Sequence, residues 1–310
     1  MSAGPVVISG GTGFLGRRVV ARCRASGMDV TVAARHARAV AGSFPDEGGS
    51  LSFTDVDVRE EGDVRRAVEG AQAVVNCVAL YVETRDATFR AIHVDGARNV
   101  AAAASQSGAD SLVHISGIGS DASSSSAYVR ARGEGEAAVR DAFPQATILR
   151  PSVMFGPHDA FLSAIDGVAT MTPVIPLFGS GETKLQPVHV DDVAQAVARA
   201  IAVDAARGDT FELGGGEVLT YRRIVELVVE WKKRKLLLVP FPFAGWDILA
   251  SAGSLLPSPP ITEGQVALMK RDNVVGEGAK GFGELGIVPR TFTEAAPAYL
   301  PGKSSPVRHP

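Results

Sequence analysis

The sequence predicts an α/β fold, in which a doubly wound parallel sheet is followed by a smaller, mostly helical lobe. In the first two thirds of the 310 residues, short apolar runs alternate with segments of helical periodicity. The apolar runs lack the polar alternation of a half-exposed strand, which is typical of a parallel sheet covered on both faces. After Pro151 the pattern loosens, and prolines separate shorter elements.

Residue type and spacing predict each element in turn. The first strand is apolar and runs into glycines, the first helix has Leu15 and Val19 four residues apart, and the second strand contains β-branched Val30 and Val32. The predicted strands are 6–9, 29–34, 51–53, 73–77, 112–115 and 146–149. The predicted helices are 14–24, 63–69, 84–105 and 128–141.

One further α/β piece follows, with a strand at 188–190, a helix through Ala200 and a strand at 210–213. We therefore expect these domain boundaries: 1–155 for the sheet domain with 186–215 returning to it, 156–185 and 216–300 for the lobe, and 301–310 for a flexible tail. His114 and His189 lie inside apolar strands and are expected to be structural, and Asp191 is expected to be the N-cap of the helix.

Composition narrows the function. The chain is 45% hydrophobic and 21% charged with a net charge of −3, which excludes general disorder and gives no basic field for nucleic acid. Cys23 and Cys77 form no CxxC pair, so a disulfide framework and a zinc knuckle are excluded, and no metal site is expected. Without an export signal or a continuous apolar span, the expected location is cytoplasmic, with peripheral attachment to the inner membrane as the open alternative.

A glycine-rich turn is the most informative stretch. Glycines at positions 10, 13 and 16 have GxxGxxG spacing between the first strand and the first helix. This arrangement permits a tight turn, close approach of a pyrophosphate and tight helix packing, and it is the fingerprint of a dinucleotide-binding Rossmann domain. The residues expected to hold the dinucleotide here are Gly10, Thr12, Gly13, Phe14, Leu15 and Gly16.

The end of the second strand predicts the type of cofactor. An NAD-selective site usually carries an acid about 20 residues beyond the glycines, but this chain has Arg35 there, with His36 and Arg38 close behind. A guanidinium grips a 2′-phosphate with two hydrogen bonds, so NADP(H) is favoured over NAD(H). The alternative is that Arg35 is a solvated loop residue.

Two further strand ends complete the predicted cofactor site. Asp57 and Val58 follow the third strand, where the adenine would lie. Cys77, Val78 and Ala79 end the fourth strand, and their small side chains leave room for the cofactor. Cys77 has no adjacent basic residue, so it is expected to be a small buried hydrophobe and not a nucleophile.

These motifs resemble the extended and atypical short-chain dehydrogenases/reductases, the NAD-dependent epimerase/dehydratase type, over about residues 6 to 300. The resemblance includes Ser116, Tyr128 and the runs at 150–157 and 188–193. The runs at 136–144, 184–188 and 260–262 look like the NADPH-binding accessory subunit of respiratory complex I and its bacterial relatives. The resemblance implies a Ser/Tyr/Lys catalytic set and places Pro151 and Val153 beside the cofactor.

The chain departs from that set at one position. Family members have Tyr-x-x-x-Lys, whereas here Tyr128 is followed by Arg132. One helical turn puts both on one face, and the guanidinium keeps the positive charge, but it stays protonated and cannot relay a proton. Ser116, Tyr128 and Arg132 are the expected catalytic residues. The alternatives are structural, with Tyr128 packing on the sheet and Ser116 capping backbone.

Three functions remain open at this stage. The first is an NADP(H)-binding protein of the complex I accessory type that reduces an apolar carbonyl or quinone-like substrate. The second is a soluble epimerase, dehydratase or reductase for a sugar nucleotide, and the third is a non-catalytic interaction subunit. A basic run at 232–235 beside the apolar segment 236–260 predicts salt-sensitive attachment to a respiratory membrane complex or an anionic membrane surface; alternatively, the segment closes the core of the lobe.

Overall fold

The computed structural model describes residues 4–253 and 261–300. The tail expected at 301–310, and the part of the 236–260 segment beyond Gly253, lie outside these residues. The strands are β1 (Val6–Ser9), β2 (Val30–Ala34), β3 (Leu51–Asp55), β4 (Ala73–Asn76), β5 (Ser111–Ile115), β6 (Thr147–Pro151), β7 (Met154–Phe155), β8 (Val174–Phe178), β9 (Lys184–Leu185), β10 (Val188–His189), β11 (Thr210–Leu213), β12 (Leu219–Thr220) and β13 (Leu237–Phe241). The helices are α1 (Phe14–Ala25), α2 (Glu61–Val68), α3 (Ala97–Gln106), α4 (Ala127–Ala142), α5 (Ala160–Met171), α6 (Val190–Ala202), α7 (Tyr221–Trp231), α8 (Phe243–Gly253), α9 (Glu263–Met269) and α10 (Phe292–Ala295).

Seven strands form one parallel sheet in the order β11-β6-β5-β4-β1-β2-β3. This order confirms the predicted doubly wound Rossmann sheet. The direction of winding reverses between β1 and β4, and in open parallel sheets a ligand crevice lies outside the carboxyl ends of the strands at this point. The glycine loop leaves β1 at that crevice.

Each face of the sheet is covered by helices, as uniformly apolar strands require. Helices α1 and α6 bury Val19 and Val193 against Ile8 on one face. Helices α2, α3 and α4 cover the other face, where Val100 packs with Val7. The sheet is therefore buried on both sides and holds the loops at its carboxyl edge in fixed positions.

The lobe has a core of its own and confirms the expected smaller, mostly helical unit. Phe155, Leu177, Ile224 and Phe292 are buried together in it. Three two-stranded ribbons, β7 with β10, β8 with β13 and β9 with β12, accompany helices α5, α7, α8, α9 and α10 in the described residues.

Two local predictions are wrong. The helix predicted from Thr84 begins at Arg90 as a π-helical segment that continues into α3, because side chains capture the preceding N–H groups: Phe89 donates to Glu83 Oε1 at 2.6 Å. The N-cap of α6 is His189 and not Asp191, since His189 Nδ1 accepts the Asp191 backbone N–H at 3.1 Å.

Candidate functional site

Gly10 turns the chain out of β1 in a left-handed conformation, with φ +76°, that favours glycine. Its N–H donates to the Ala33 carbonyl at 2.8 Å, and a Cβ on it would lie 2.9 Å from the Cys77 carbonyl carbon. The glycine loop therefore sits tightly against the ends of β2 and β4, at the switch point of the sheet.

Gly13 and Gly16 have different surroundings. A Cβ on Gly16 would lie 2.1 Å from the Gly10 carbonyl oxygen, so only glycine lets α1 pack on the loop. Among the described residues outside its own chain neighbours, a Cβ on Gly13 would meet only that same oxygen, at 3.3 Å, and Gly13 is exposed. Gly13 is the N-cap of α1 without a side-chain cap, and the first turn of α1 has no acid. The outward N–H groups thus form a cradle that fits a pyrophosphate.

The other predicted loop residues support this cradle from behind. The Thr12 carbonyl accepts a hydrogen bond from Arg17 Nε at 3.0 Å, which fixes the loop to the first turn of α1. Leu15 is buried in the core beneath α1, and Phe14 packs against the same cluster. Their side chains face the protein, which leaves backbone groups for the ligand.

Arg35 and His36 lie at the carboxyl end of β2 and line a cavity of about 270 Å³. Its remaining lining residues are Asp55, Val56, Asp57 and Asp63. Arg38 begins the next short helix, where its backbone N–H donates to Asp55 Oδ1 at 3.1 Å. Basic and acidic side chains therefore share this edge of the crevice.

Asp57 is held ionised by the residue two positions on. Arg59 Nε donates to Asp57 Oδ1 at 2.9 Å, and this hydrogen bond lowers the pKa of the carboxyl group. The same guanidinium donates to the Asp86 carbonyl, in the loop that precedes the π-helical segment. The neighbouring Val58 is buried in the core. The backbone next to Asp57 is therefore anchored, while Arg59 holds its carboxylate.

The fourth strand ends in small residues, as expected. The Cys77 N–H donates to the Ser9 carbonyl at 2.9 Å, and burial raises the pKa of its thiol, which keeps it protonated. The Val78 N–H donates to Asn76 Oδ1 at 3.1 Å, and Ala79 is exposed beyond it. Nothing in this geometry activates Cys77 as a nucleophile.

Tyr128 and Arg132 are joined directly, as their spacing on α4 predicts. Arg132 Nη1 donates to the Tyr128 hydroxyl oxygen at 2.9 Å. The guanidinium also lies against Gly117 at the end of β5, where a Cβ would be 2.3 Å from Nη2. Because Arg132 can only donate, the Tyr128 oxygen is the acceptor and its own proton is available for another partner.

Aromatic rings surround the buried Tyr128. The ring centroids of Phe89 and Tyr81 lie 5.4 and 5.9 Å from that of Tyr128, and the His93 ring meets it edge-on at 5.7 Å. Burial lowers the pKa of His93 to about 4 and that of His114 to about 3. Both histidines are therefore neutral at pH 7, and the ring of Tyr128 packs against uncharged aromatic rings while its hydroxyl meets Arg132.

Ser116 belongs to a buried ionic network. Its hydroxyl donates to Glu136 Oε1 and is 3.0 Å from Ser120 Oγ. Arg150 Nη2 lies 2.6 Å from the second carboxylate oxygen of Glu136 and also pairs with Glu212 at 3.5 Å. The structure thus joins Ser116 to the Glu136–Arg150 pair, which sequence reasoning missed because the partners come from three separate elements.

A cleft of about 470 Å³ opens beside Tyr128, between α4 and the lobe. Phe89, Ile118 and Leu268 give it an apolar wall, and the loop after α9 contributes Arg271 and Asn273. Asn273 was not predicted, and no local sequence signal marks it. It ties the lobe to the sheet by accepting from Ser152 Oγ at 2.6 Å.

Pro151 and Val153 flank this tie. The Pro151 carbonyl accepts the Ile118 N–H at 3.1 Å, and the Val153 N–H donates to Asn273 Oδ1 at 3.0 Å. Both residues therefore fix the base of the cleft at the carboxyl end of β6.

The basic run of the lobe is partly engaged within the chain. Lys232 pairs with Asp166 at 2.7 Å, and Arg234 donates to the Ala169 carbonyl. Exposed apolar side chains lie nearby, with Met171 84% and Leu237 63% exposed. Across residues 4–253 and 261–300, no helix has the length and apolar character that crossing a bilayer requires.

The parallel sheet, its switch point and the glycine cradle define a dinucleotide-binding Rossmann protein. The sequence model of the NAD dependent epimerase/dehydratase family matches residues 6–214, and the chain belongs to this family. This finding agrees with the resemblance drawn from the motifs.

Two curated relatives are similar over most of the chain. The chain is 32% identical over 297 residues to NADH dehydrogenase (ubiquinone) 1 alpha subcomplex subunit 9 of Arabidopsis thaliana, which covers 91% of this chain and 73% of the relative. It is 30% identical over 306 residues to the NADH-ubiquinone oxidoreductase 40 kDa subunit of Neurospora crassa, which covers 94% and 78%. Both are mitochondrial complex I subunits, so the chain is a homologue of that accessory subunit.

A solved structure gives the same fold at low identity. The NADPH-dependent quinone oxidoreductase QOR2 of Escherichia coli, complexed with NADPH, superposes with a TM-score of 0.74 at 19% identity, covering 95% of this chain and 99% of that chain. This likeness shows the shared fold.

Proposed function

We propose that the chain is an NADP(H)-binding protein of the complex I accessory-subunit type. Arg35 carries this proposal. It lies at the end of β2 where an NAD site has an acid, and in the described residues its guanidinium has no carboxylate within 4 Å. A 2′-phosphate would neutralise it, and Gly10, Gly13 and Gly16 would hold the pyrophosphate.

The site retains the parts of a reductase. When bound, NADPH supplies a hydride. Tyr128 then donates its proton to a carbonyl or quinone-like oxygen in the adjacent cleft, while Arg132 stabilises the phenolate oxygen through the 2.9 Å hydrogen bond. Ser116 gives its single proton to Glu136 in the structure, so it would orient the same oxygen only when that proton turns from Glu136 to the substrate.

Arg132 limits turnover in this proposal. A guanidinium stays protonated, so it cannot pass a proton back to Tyr128 as a lysine ammonium can. The main function proposed for this chain is therefore to bind the dinucleotide, and hydride transfer from it is slow.

One wall of the cleft favours an apolar substrate. Phe89, Ile118 and Leu268 form an apolar wall beside Tyr128. Arg271 favours the second candidate, an epimerase, dehydratase or reductase for a sugar nucleotide, because in the described residues it has no carboxylate within 4 Å and lines the same cleft. A panel of quinones, aldehydes and nucleotide sugars assayed for NADPH oxidation or epimerisation separates these activities.

The lobe is the proposed contact with a respiratory membrane complex or anionic lipid. Lys233 and Lys235 are exposed beside Leu237, so a basic rim borders an apolar face. With this contact, the chain would be a cytoplasmic protein attached peripherally to the inner membrane. Flotation with anionic vesicles at low and high salt tests lipid contact, and co-purification with complex I tests the complex.

The nucleotide released from purified protein by denaturation tests the main proposal. We expect NADP(H) in amounts that exceed NAD(H). Recovery of NAD(H) alone would contradict the proposal.

A further inference from the structure

We propose that Arg17 is a second recognition residue for the 2′-phosphate of the dinucleotide. This inference rests on the NADP(H) preference proposed above. Arg17 directly follows the last glycine of the motif, in the first turn of α1, and is half-buried. It was not among the residues that the sequence pattern singled out.

Three contacts hold the Arg17 guanidinium in place. Its Nε donates to the Thr12 carbonyl at 3.0 Å, and its Nη1 donates to Ser43 Oγ at 3.0 Å. Its Cζ lies 4.5 Å from the ring centroid of Phe44. Thr12 belongs to the pyrophosphate cradle, and Ser43 ends the short helix that begins at Arg38. The guanidinium therefore bridges the glycine loop and the segment that follows β2.

The charge of Arg17 has no counterion in the described residues. Its contacts are to a carbonyl, a hydroxyl and a ring, with no carboxylate oxygen within 4 Å. Two other arginines of α1 differ: Arg18 pairs with Asp191, and Arg24 donates to carbonyls and lies 3.9 Å from Asp46, whereas Arg22 is exposed to solvent. A half-buried, fixed cation without a counterion favours an anion at its free N–H groups.

The arrangement of donors identifies the anion. A guanidinium has five N–H groups, and two of those of Arg17 are used by Thr12 and Ser43. The remaining ones suit a phosphate, which guanidinium binds with paired charge-assisted hydrogen bonds. Arg35 follows β2, and Arg38 begins the short helix that Ser43 ends. A 2′-phosphate bound between α1 and the end of β2 would therefore meet cations from both elements. The ribose hydroxyl of NAD(H) offers no such charge.

Two adenine nucleotides without a nicotinamide test this subsite through binding alone, with no need for catalytic activity. Calorimetry measures the affinity of adenosine 2′,5′-bisphosphate and of adenosine 5′-monophosphate for the wild type and for Arg17→Met, which keeps an aliphatic stem over Phe44. We expect Arg17→Met to weaken binding of the bisphosphate about 10- to 100-fold and to change the affinity for the monophosphate less than about threefold. Arg22 is exposed on the same helix, so Arg22→Met is the control that removes the same charge elsewhere. It should change the affinity for neither nucleotide.

The outcomes separate the two levels of the proposal. If the wild type binds both nucleotides equally, the NADP(H) preference is wrong and this inference falls with it. If the wild type prefers the bisphosphate and Arg17→Met keeps that preference, or weakens both nucleotides equally, the role of Arg17 alone is wrong. Melting of each variant without nucleotide shows whether the fold is retained, and Arg17→Lys, which keeps the charge and loses the fork, should give an intermediate loss.

Discussion

The guanidinium of Arg132 donates a 2.9 Å hydrogen bond to the hydroxyl of Tyr128, one helical turn away on α4. It also fills the space beside Gly117, so a positive charge is placed at the carboxyl end of β5 without a lysine. In the proposed reductase site, this arrangement keeps a positive charge beside the tyrosine oxygen, and a guanidinium cannot relay a proton.

We expect Arg132→Lys to raise hydride-transfer turnover. The wild-type rate should lie below the ordinary enzyme range of about 1–10³ per second, because Arg132 cannot return a proton to Tyr128. Steady-state NADPH oxidation with a quinone panel measures the change, and Tyr128→Phe is the control for background oxidation. Ordinary wild-type turnover that falls in Arg132→Lys would contradict the impaired-site interpretation.

Gly13→Val should abolish dinucleotide binding and leave the fold intact. Apart from its neighbours in the chain, the one atom of the described residues within 4 Å of a Cβ at this position is the Gly10 carbonyl oxygen, at 3.3 Å, so the added methyls project into the cradle. Thermal melts should show a ligand-induced rise in Tm in the wild type only. Gly16→Ala is the contrast, because its Cβ would lie 2.1 Å from the same oxygen and should lower the Tm without ligand. A retained ligand shift in Gly13→Val would show that the loop holds no phosphate.

Stability should fall as the pH drops from about 6.5 towards 4. Burial lowers the pKa of His93 to about 4, so between these values the unfolded chain binds a proton that the folded chain does not. His93 alone contributes a loss of about 3 kcal/mol over this window, and His114 adds in the same direction. Unfolding by guanidinium chloride at pH 7, 5.5 and 4.5 measures how steeply the free energy of unfolding depends on pH. His93→Gln should flatten this dependence, and an unchanged slope would contradict the assignment.

Glu136→Gln should destabilise the protein by about 3 kcal/mol, because a neutral amide replaces the buried carboxylate closest to the Arg150 guanidinium. The matched control is Glu134→Gln on the same helix. Glu134 pairs with Arg90 at 3.4 Å on the surface, and loss of that pair should cost less than about 1 kcal/mol. Urea denaturation of both variants gives the difference, and equal effects would contradict a stabilising role for the Glu136–Arg150 pair.

Local patterns were enough to predict the sheet and the glycine cradle. Strand character and the Gly10 turn depend on neighbouring residues, and Tyr128 meets Arg132 because helical spacing alone brings them together. Glu136 and Arg150 meet only after α4 packs on β6, and Asn273 reaches Ser152 across more than a hundred residues. Such contacts depend on tertiary packing, which is why sequence analysis did not find them.

The central claim is that the end of β2 recognises a 2′-phosphate. Titration calorimetry of NADPH and NADH against the wild type and Arg35→Asp tests it most directly. We expect the wild type to bind NADPH about 10- to 100-fold more tightly than NADH, and Arg35→Asp to lose or reverse this preference because an acid repels the phosphate and accepts from a ribose hydroxyl. Equal affinities in the wild type, or a preference for NADH, would contradict the claim.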